Sequence, residues 1–315
     1  MSEIWAEKYR PRLLTDMSGQ SSVVERLSAL VKSDALPHLL FAGPAGSGKT
    51  TSALCIAREL YGDSWHANFM ELNASNERGI DTIRVKVKDF AKTMPVGKKF
   101  KIIYLDEADA LTADAQHALR RTMEKYSETT RFILACNYMS KIIIPIQSRC
   151  AVFRFSTLDA EGMVTYLKRI VAGEAIAVEE DAYGAITDVA EGDMRRAINL
   201  LQTASILGKR VTVKNVKEAS SSADAELVEK MINASLGGDF KAACAALLEC
   251  IKSGASSEDI IREISRCIHA SSMDDERKLF FLDKLGEYEF RLTEGSNPRI
   301  QLEAMLASFA ASKRL

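Results

Sequence analysis

The sequence predicts an α/β domain built on a parallel sheet, followed by two all-helical parts. Short apolar runs alternate with amphipathic stretches through the first half of the chain. After Phe155 strand-like runs become scarce and helical periodicity takes over. A Ser-rich stretch, residues 220–226, then interrupts the helical half as a hinge or linker would. Strands that alternate with helices pair in parallel and are covered on both faces.

The strand candidates are His38–Ala42, Phe69–Asn73, Lys101–Asp106, Arg131–Cys136 and Val152–Phe155. Asp159–Ala172, Glu179–Ala190 and Asp193–Leu207 read as a small helical bundle, with a short segment near Val213–Ala219. Ala225–Leu236, Phe240–Lys252, Glu258–Ala270, Glu276–Glu294 and Arg299–Lys313 read as helices punctuated by Gly237, Gly238, Gly254, Gly295 and Pro298. The expected domains are therefore 1–157, 158–221 and 222–315, and 315 residues suit two or three domains.

Composition narrows the function classes. Hydrophobic residues make up 47% of the chain, enough for ordinary buried cores. Lys and Arg number 42 against 43 Asp and Glu, a formal net charge of -1. A protein that coats DNA non-specifically is basic throughout, so any nucleic-acid surface here must be a local stripe. None of the six cysteines lies in a C-x-x-C pair or a zinc-spaced cluster, and they read as buried free thiols. The N-terminus is charged, and no run approaches the roughly 20 apolar residues a bilayer needs. A soluble, intracellular protein with no membrane partner is expected.

Gly43-Pro44-Ala45-Gly46-Ser47-Gly48-Lys49-Thr50 matches the phosphate-loop pattern G-x-x-x-x-G-K-[ST], with a strand leading in and a helix leading out through Thr51. Such a loop turns several N–H groups toward one anion, and the helix N-terminus adds partial positive charge. Lys49 would reach the β- and γ-phosphates of ATP, and the Thr50 hydroxyl would ligate Mg²⁺. Ile102–Leu105 ends in Asp106 and Glu107, which places both acids at the carboxyl edge of a buried strand, where open parallel sheets bind ligands. Asp106 would hold Mg²⁺ and Glu107 would act as general base on the attacking water. Asp109 reads as a helix cap. These motifs do not choose between a small-molecule kinase and a hydrolase.

Further polar residues narrow the choice. Asn137 ends the strand Arg131–Cys136 and is placed to bond the γ-phosphate or the water; it reads equally as a turn starter. Arg149 lies just before the last strand; if that strand is at the sheet edge, it points away from its own nucleotide and can complete a neighbour's site. Arg195 opens a helix of the second part and could fold over the phosphates. Either arginine also reads as a solvated element end.

Taken together, these segments resemble the small subunits of replication factor C, archaeal ones most closely. Trp5-Ala6-Glu7-Lys8-Tyr9-Arg10-Pro11 looks like that family's adenine-side box, and Gly19-Gln20 follows at its spacing, with MSGQ in place of the more usual VVGQ. Leu72–Asp81 matches another box, with Asn76 where Asp is common; LDEADALTADAQHALRRTMEKYS and Ser148-Arg149-Cys150 also fit. The resemblance implies a P-loop AAA+ domain, a small helical lid and an all-helical collar. It implies that Tyr9, Arg10 and Pro11 line the adenine side, that Asn137 and Arg195 sense nucleotide, and that Arg149 serves a neighbouring subunit in trans. It implies partners too: a large subunit, other small subunits, a sliding clamp and primer–template DNA.

The stretch Ile80–Met94 carries two stripes. Ile80, Ile83, Val87, Phe90 and Met94 recur at helical spacing and should face the sheet. Arg84, Lys88 and Lys92 form a basic stripe beside them, which reads as a solvated face or as a track for DNA phosphates; Arg120 and Arg121 are weaker DNA candidates. The resemblance also points to Phe90, Met94, Pro95 and Val96 as clamp contacts, although the stripe assigns Phe90 to the core. The expected function is an ATPase subunit that opens the clamp and loads it on DNA. A different AAA+ motor, such as a helicase loader or branch-migration motor, and a scaffold subunit without hydrolysis are the alternatives.

Overall fold

A computed structural model describes residues 4–33, 35–76, 83–220 and 225–311, with the backbone only at Ile83 and Arg84. The expectations for residues 77–81 and 221–224 lie outside the described residues. The chain divides into two compact units, Met1–Val216 and Lys217–Leu315.

The first unit is built on five parallel strands: β1 (His38–Ala42), β2 (Phe69–Asn73), β3 (Lys101–Asp106), β4 (Thr130–Cys136) and β5 (Cys150–Arg154). Their order across the sheet is β2-β3-β4-β1-β5, so β5 is an edge strand. The central strands read as unbroken apolar runs because both faces are covered. Leu39, Phe41, Ile102, Tyr104, Ile133 and Ala135 face one core with α1 (Ser21–Lys32) and α2 (Lys49–Tyr61). Leu40, Ile103, Leu105, Phe132 and Leu134 face the other, with α3 (Lys88–Lys92) and α4 (Ala113–Lys125). Alternate residues on a strand point to opposite faces, so one run serves two cores.

The inward stripe needs a correction. Met94 does not face the sheet: it is 78% exposed, because α3 ends at Lys92 and the chain turns extended at Thr93. Val87 is fully buried and Phe90 packs partly against the core, so the stripe stops there. The end of α3 is secured by Lys101, itself 1% exposed, whose ammonium donates to the Phe90 carbonyl and the Thr93 hydroxyl. Within the first unit follow α5 (Ala160–Glu174), α6 (Glu180–Ala190) and α7 (Met194–Ile206). Asp159 and Asp193 cap α5 and α7 by accepting from Gly162 N and Arg196 N. A small parallel pair, β6 (Ala177–Val178) with β7 (Arg210–Val211), is present that periodicity did not suggest, since two-residue strands are too short to show a pattern. α8 (Val213–Ser220) follows.

The second unit is helical throughout its described elements: α9 (Ala225–Gly237), α10 (Phe240–Lys252), α11 (Ser257–Ala270), α12 (Asp275–Thr293) and α13 (Pro298–Ala311). They bury one shared core that includes Met231, Leu247, Ile264, Phe281 and Phe309. Ser235 is fully buried there and satisfies its hydroxyl on the Leu306 carbonyl at 2.6 Å.

Candidate active site

Sheet register brings the sequence motifs together. Ala42 lies beside Cys136 and Leu105 beside Leu134, so the residues that follow β1, β3 and β4 emerge at one carboxyl edge. Gly43 N donates to the Cys136 carbonyl at 3.1 Å as β1 enters the loop. The loop turns through Gly46 and Gly48 at φ 66° and 100°, where only glycine is unstrained. Gly46 also allows a close approach: a Cβ there would lie 1.8 Å from Asp193 Oδ1. α2 then begins at Lys49 with no side-chain cap, and the first N–H groups of a helix have no partner within it.

Lys49 is only 8% exposed. Its ammonium donates to the carbonyls of Gly43 (2.6 Å) and Pro44 (2.7 Å) and to Asn137 Oδ1 (3.1 Å). Burial pushes its pKa down and the Asp106 carboxylate pulls it back up. A cation held by neutral acceptors gains by exchanging them for an anion, because charge-assisted bonds are the stronger kind.

The Thr50 hydroxyl donates to Asp106 Oδ2 at 2.9 Å and lies 2.9 Å from the Tyr104 hydroxyl. Tyr104 is fully buried; that burial, then the Asp106 carboxylate, hold its phenol well above the ordinary range. Glu107 follows in the left-handed region (φ 51°, ψ 40°), with its N–H donating to Asp106 Oδ1 at 2.9 Å. A non-glycine residue there costs on the order of 1–3 kcal/mol and such strain gathers at functional sites. Asp109 is not the helix cap: Thr112 caps α4 by accepting from Ala115 N at 3.3 Å, while the Asp109 carboxylate accepts from Tyr138 N at 3.1 Å and fixes the turn after Asn137.

These groups border a cavity of about 230 Å³. It is lined by Ala45–Thr51, Asp106, Glu107 and Asn137, by Arg10 and Pro11, and by Met194, Arg195 and Ile198. Arg195 is exposed, and its guanidinium lies 3.8 Å from Glu7, which also pairs with Arg10 at 2.5 Å. Gly43 and Pro44 back the loop through their carbonyls and do not line the cavity.

Tyr9 does not line this cavity but borders an adjoining one of about 190 Å³, which shares Arg10, Pro11 and Tyr166 with it. Its hydroxyl donates to Glu174 Oε1 at 2.7 Å, and its ring packs on Gly173, leaving the box braced against α5. The Tyr166 hydroxyl donates to the Tyr9 carbonyl. Arg149 stands outside the cavity beside the edge strand β5, paired with Glu124 at 2.6 Å and donating to the Pro145 carbonyl at 2.7 Å. Glu124 also takes Arg120, at 3.4 Å, and Arg121 is exposed. Lys88 and Lys92 are exposed, Lys92 with Asp89 at 3.0 Å; the Arg84 side chain is outside the described atoms.

Sequence reasoning passed over several contributors. Met17, Leu158 and Ile198 give the cavity apolar lining. The buried Gln20 amide donates to the Ser156 carbonyl at 2.7 Å and the Ser47 carbonyl at 3.4 Å, tying the loop to the chain that leaves β5. A polar residue in an apolar run, such as Tyr104 in Ile-Ile-Tyr-Leu, was the available signal, since a buried hydroxyl needs a partner.

ATP and Mg²⁺ fit what is present. The loop tolerates no side chain at Gly46, where a Cβ would strike Asp193, and at Gly48 a Cβ would press on Met17, so its backbone stays bare where it borders the cavity. Thr50 and Asp106 offer the hard oxygen donors Mg²⁺ prefers when it shares phosphate oxygens. Among the described residues no group of three or more His, Cys, Asp or Glu is gathered as a metal cage.

The family profile "ATPase family associated with various cellular activities (AAA)" matches residues 39–158, and "Replication factor C C-terminal domain" matches residues 223–308. The RuvB Holliday junction branch migration motor of Thermotoga maritima superposes with a TM-score of 0.57 at 20% identity, covering 71% of this chain and 79% of that one. That likeness establishes the fold alone. Replication factor C small subunits from Methanocella arvoryzae and Halobacterium salinarum are 52% and 51% identical to this chain, each spanning 98% of it and 96% of the relative. The counterpart in Methanococcus vannielii is 50% identical over 98% of both chains. Near-complete coverage at half identity, with both domain profiles in place, means that this chain is an AAA ATPase belonging to the replication factor C small-subunit family.

Proposed function

We propose that this clamp-loader ATPase subunit binds ATP with Mg²⁺ in the cavity above the sheet and hydrolyses it to open a sliding clamp and load it on primer–template DNA. The observation that carries the reading is the convergence at one carboxyl edge of Lys49, the Thr50–Asp106 pair, Glu107 and Asn137. Lys49 leaves the Gly43 and Pro44 carbonyls for the phosphates. Thr50 and Asp106 would hold Mg²⁺, which would supply charge neutralisation at the phosphates. Glu107 accepts the proton of the attacking water, and Asn137 and Arg195 bond the terminal phosphate. Arg10 and Pro11 close the base side, while Arg149 completes the site of the next subunit.

The assembly joins this chain to a large subunit and other small subunits. Residues 158–221 form the lid and 222–315 the collar. The basic residues Arg84, Lys88, Lys92, Arg120 and Arg121 follow DNA phosphates without reading sequence, and residues 94–96 meet the clamp. No helix among the described residues is long and apolar enough to cross a membrane, which suits a cytoplasmic replication factor.

A steady-state ATPase assay of the assembled loader tests this. Turnover should rise when clamp and primer–template DNA are both added. A rate indifferent to clamp would favour another AAA+ motor, and no Mg²⁺-dependent turnover would favour a scaffold.

A further inference from the structure

We infer that the Tyr104 hydroxyl is a positioning group for the metal-binding pair, fixing the direction in which Thr50 offers its oxygen. The inference rests on the reading that Thr50 and Asp106 hold the Mg²⁺ that accompanies ATP.

Hydrogen counting fixes the direction of each bond. A threonine hydroxyl has one hydrogen and two lone pairs, and an ionised carboxylate only accepts. The bond from Thr50 Oγ1 to Asp106 Oδ2 (2.9 Å) therefore uses the Thr50 hydrogen. With that hydrogen spent, the contact between Thr50 Oγ1 and the Tyr104 hydroxyl, also 2.9 Å, runs from Tyr104 to Thr50, and the Asp106 carboxylate draws on the same phenol. One lone pair of Thr50 accepts from the phenol, and the other is left for a ligand. Without the phenol the threonine hydroxyl keeps one tether and can turn about it; with it, two bonds fix the free lone pair.

The phenol is itself held. Tyr104 is fully buried in β3, its ring stacked on Phe69 at 6.2 Å and 16°. Its same-face neighbours Phe41, Ile102, Ile133 and Ala135 are all apolar. Phenylalanine would fill this core equally well, so packing gives no reason for a hydroxyl. Burying one unpaired is unfavourable, and pairing it with Thr50 makes the position coherent. Groups just outside the ligands commonly set how well those ligands hold a metal.

Tyr104→Phe tests this with little change in volume. Binding of a fluorescent ATP analogue would be measured in EDTA and then through a Mg²⁺ titration, with thermal melting as the check on folding. Metal-free affinity should stay within about twofold, while the Mg²⁺ midpoint should rise about three- to tenfold, the worth of one neutral hydrogen bond. In a Thr50→Ala background the same change should add nothing, because Tyr104 acts through Thr50. An unchanged Mg²⁺ midpoint, an equal loss of metal-free affinity, or full additivity with Thr50→Ala would overturn the inference. Asp106→Asn separates the two levels. If it too leaves the Mg²⁺ midpoint unmoved, the metal-site reading fails; if it raises the midpoint and Tyr104→Phe does not, only the positioning role fails.

Discussion

Glu107 illustrates how one residue is shaped by its place in the chain. It leaves a buried strand, takes the left-handed region, and is anchored by its own N–H on Asp106. Glu107→Gln keeps the size and the backbone, so ATP binding should persist. Hydrolysis should fall about 10²–10⁴-fold, since the amide cannot accept the proton of the water. Single-turnover hydrolysis beside a nucleotide-binding titration checks both halves; near-normal turnover would remove Glu107 from the base role. His38 offers a pH test. Burial pushes its imidazole down to about 4 from 6.5, and its Nδ1 accepts from Phe132 N at 3.1 Å. Between those values the unfolded chain takes up a proton that the folded one refuses, so stability should fall as pH drops through the window. His38→Asn keeps an acceptor near Nδ1 and removes the titration. Urea midpoints from pH 7 to 4 should decline less steeply in the variant; parallel curves would contradict the assignment.

At the scale of elements, the strands and the motifs at their carboxyl ends were legible because their cues are local. Apolar runs of five or six residues, a glycine-rich loop and two acids at a strand end each lie within one short window, and register then assembles them. What was not legible depends on distant neighbours. Met94 shares the helical spacing of Val87 and Phe90, yet the helix ends two residues before it. Tyr9 sits in a nucleotide-side box but finds Glu174, far along the chain. The approach of Asp193 to Gly46 depends on how a later helix packs, which no window reveals. The basic stripe of Arg84, Lys88 and Lys92 carries its own prediction. Reversing Arg84 and Lys88 together should weaken binding to every primer–template sequence alike and flatten the salt slope by about one unit per lost phosphate contact. Binding measured from low to moderate salt checks it; an unchanged slope would make the stripe a solvated face.

At the scale of the whole molecule, the division of labour is between a nucleotide-binding unit and a helical unit whose profile is that of the replication factor C C-terminal domain. The position of Arg149 beside an edge strand, outside its own cavity, is what makes an ATP site shared between subunits coherent. Arg149→Ala should fold normally, because a surface ion pair such as that with Glu124 contributes only about 0–1 kcal/mol. It should leave ATP affinity at its own site nearly unchanged while lowering turnover in the assembly, where arginine fingers are worth roughly 10³–10⁵. The most direct measurement combines Arg149→Ala subunits with Lys49→Ala subunits, each inactive by itself, and assays ATP hydrolysis in mixed assemblies verified by native mass spectrometry. Partial rescue is expected wherever an intact phosphate loop meets an intact arginine from the neighbouring subunit. No rescue in verified mixed assemblies would contradict the shared site, and with it the inter-subunit ATPase.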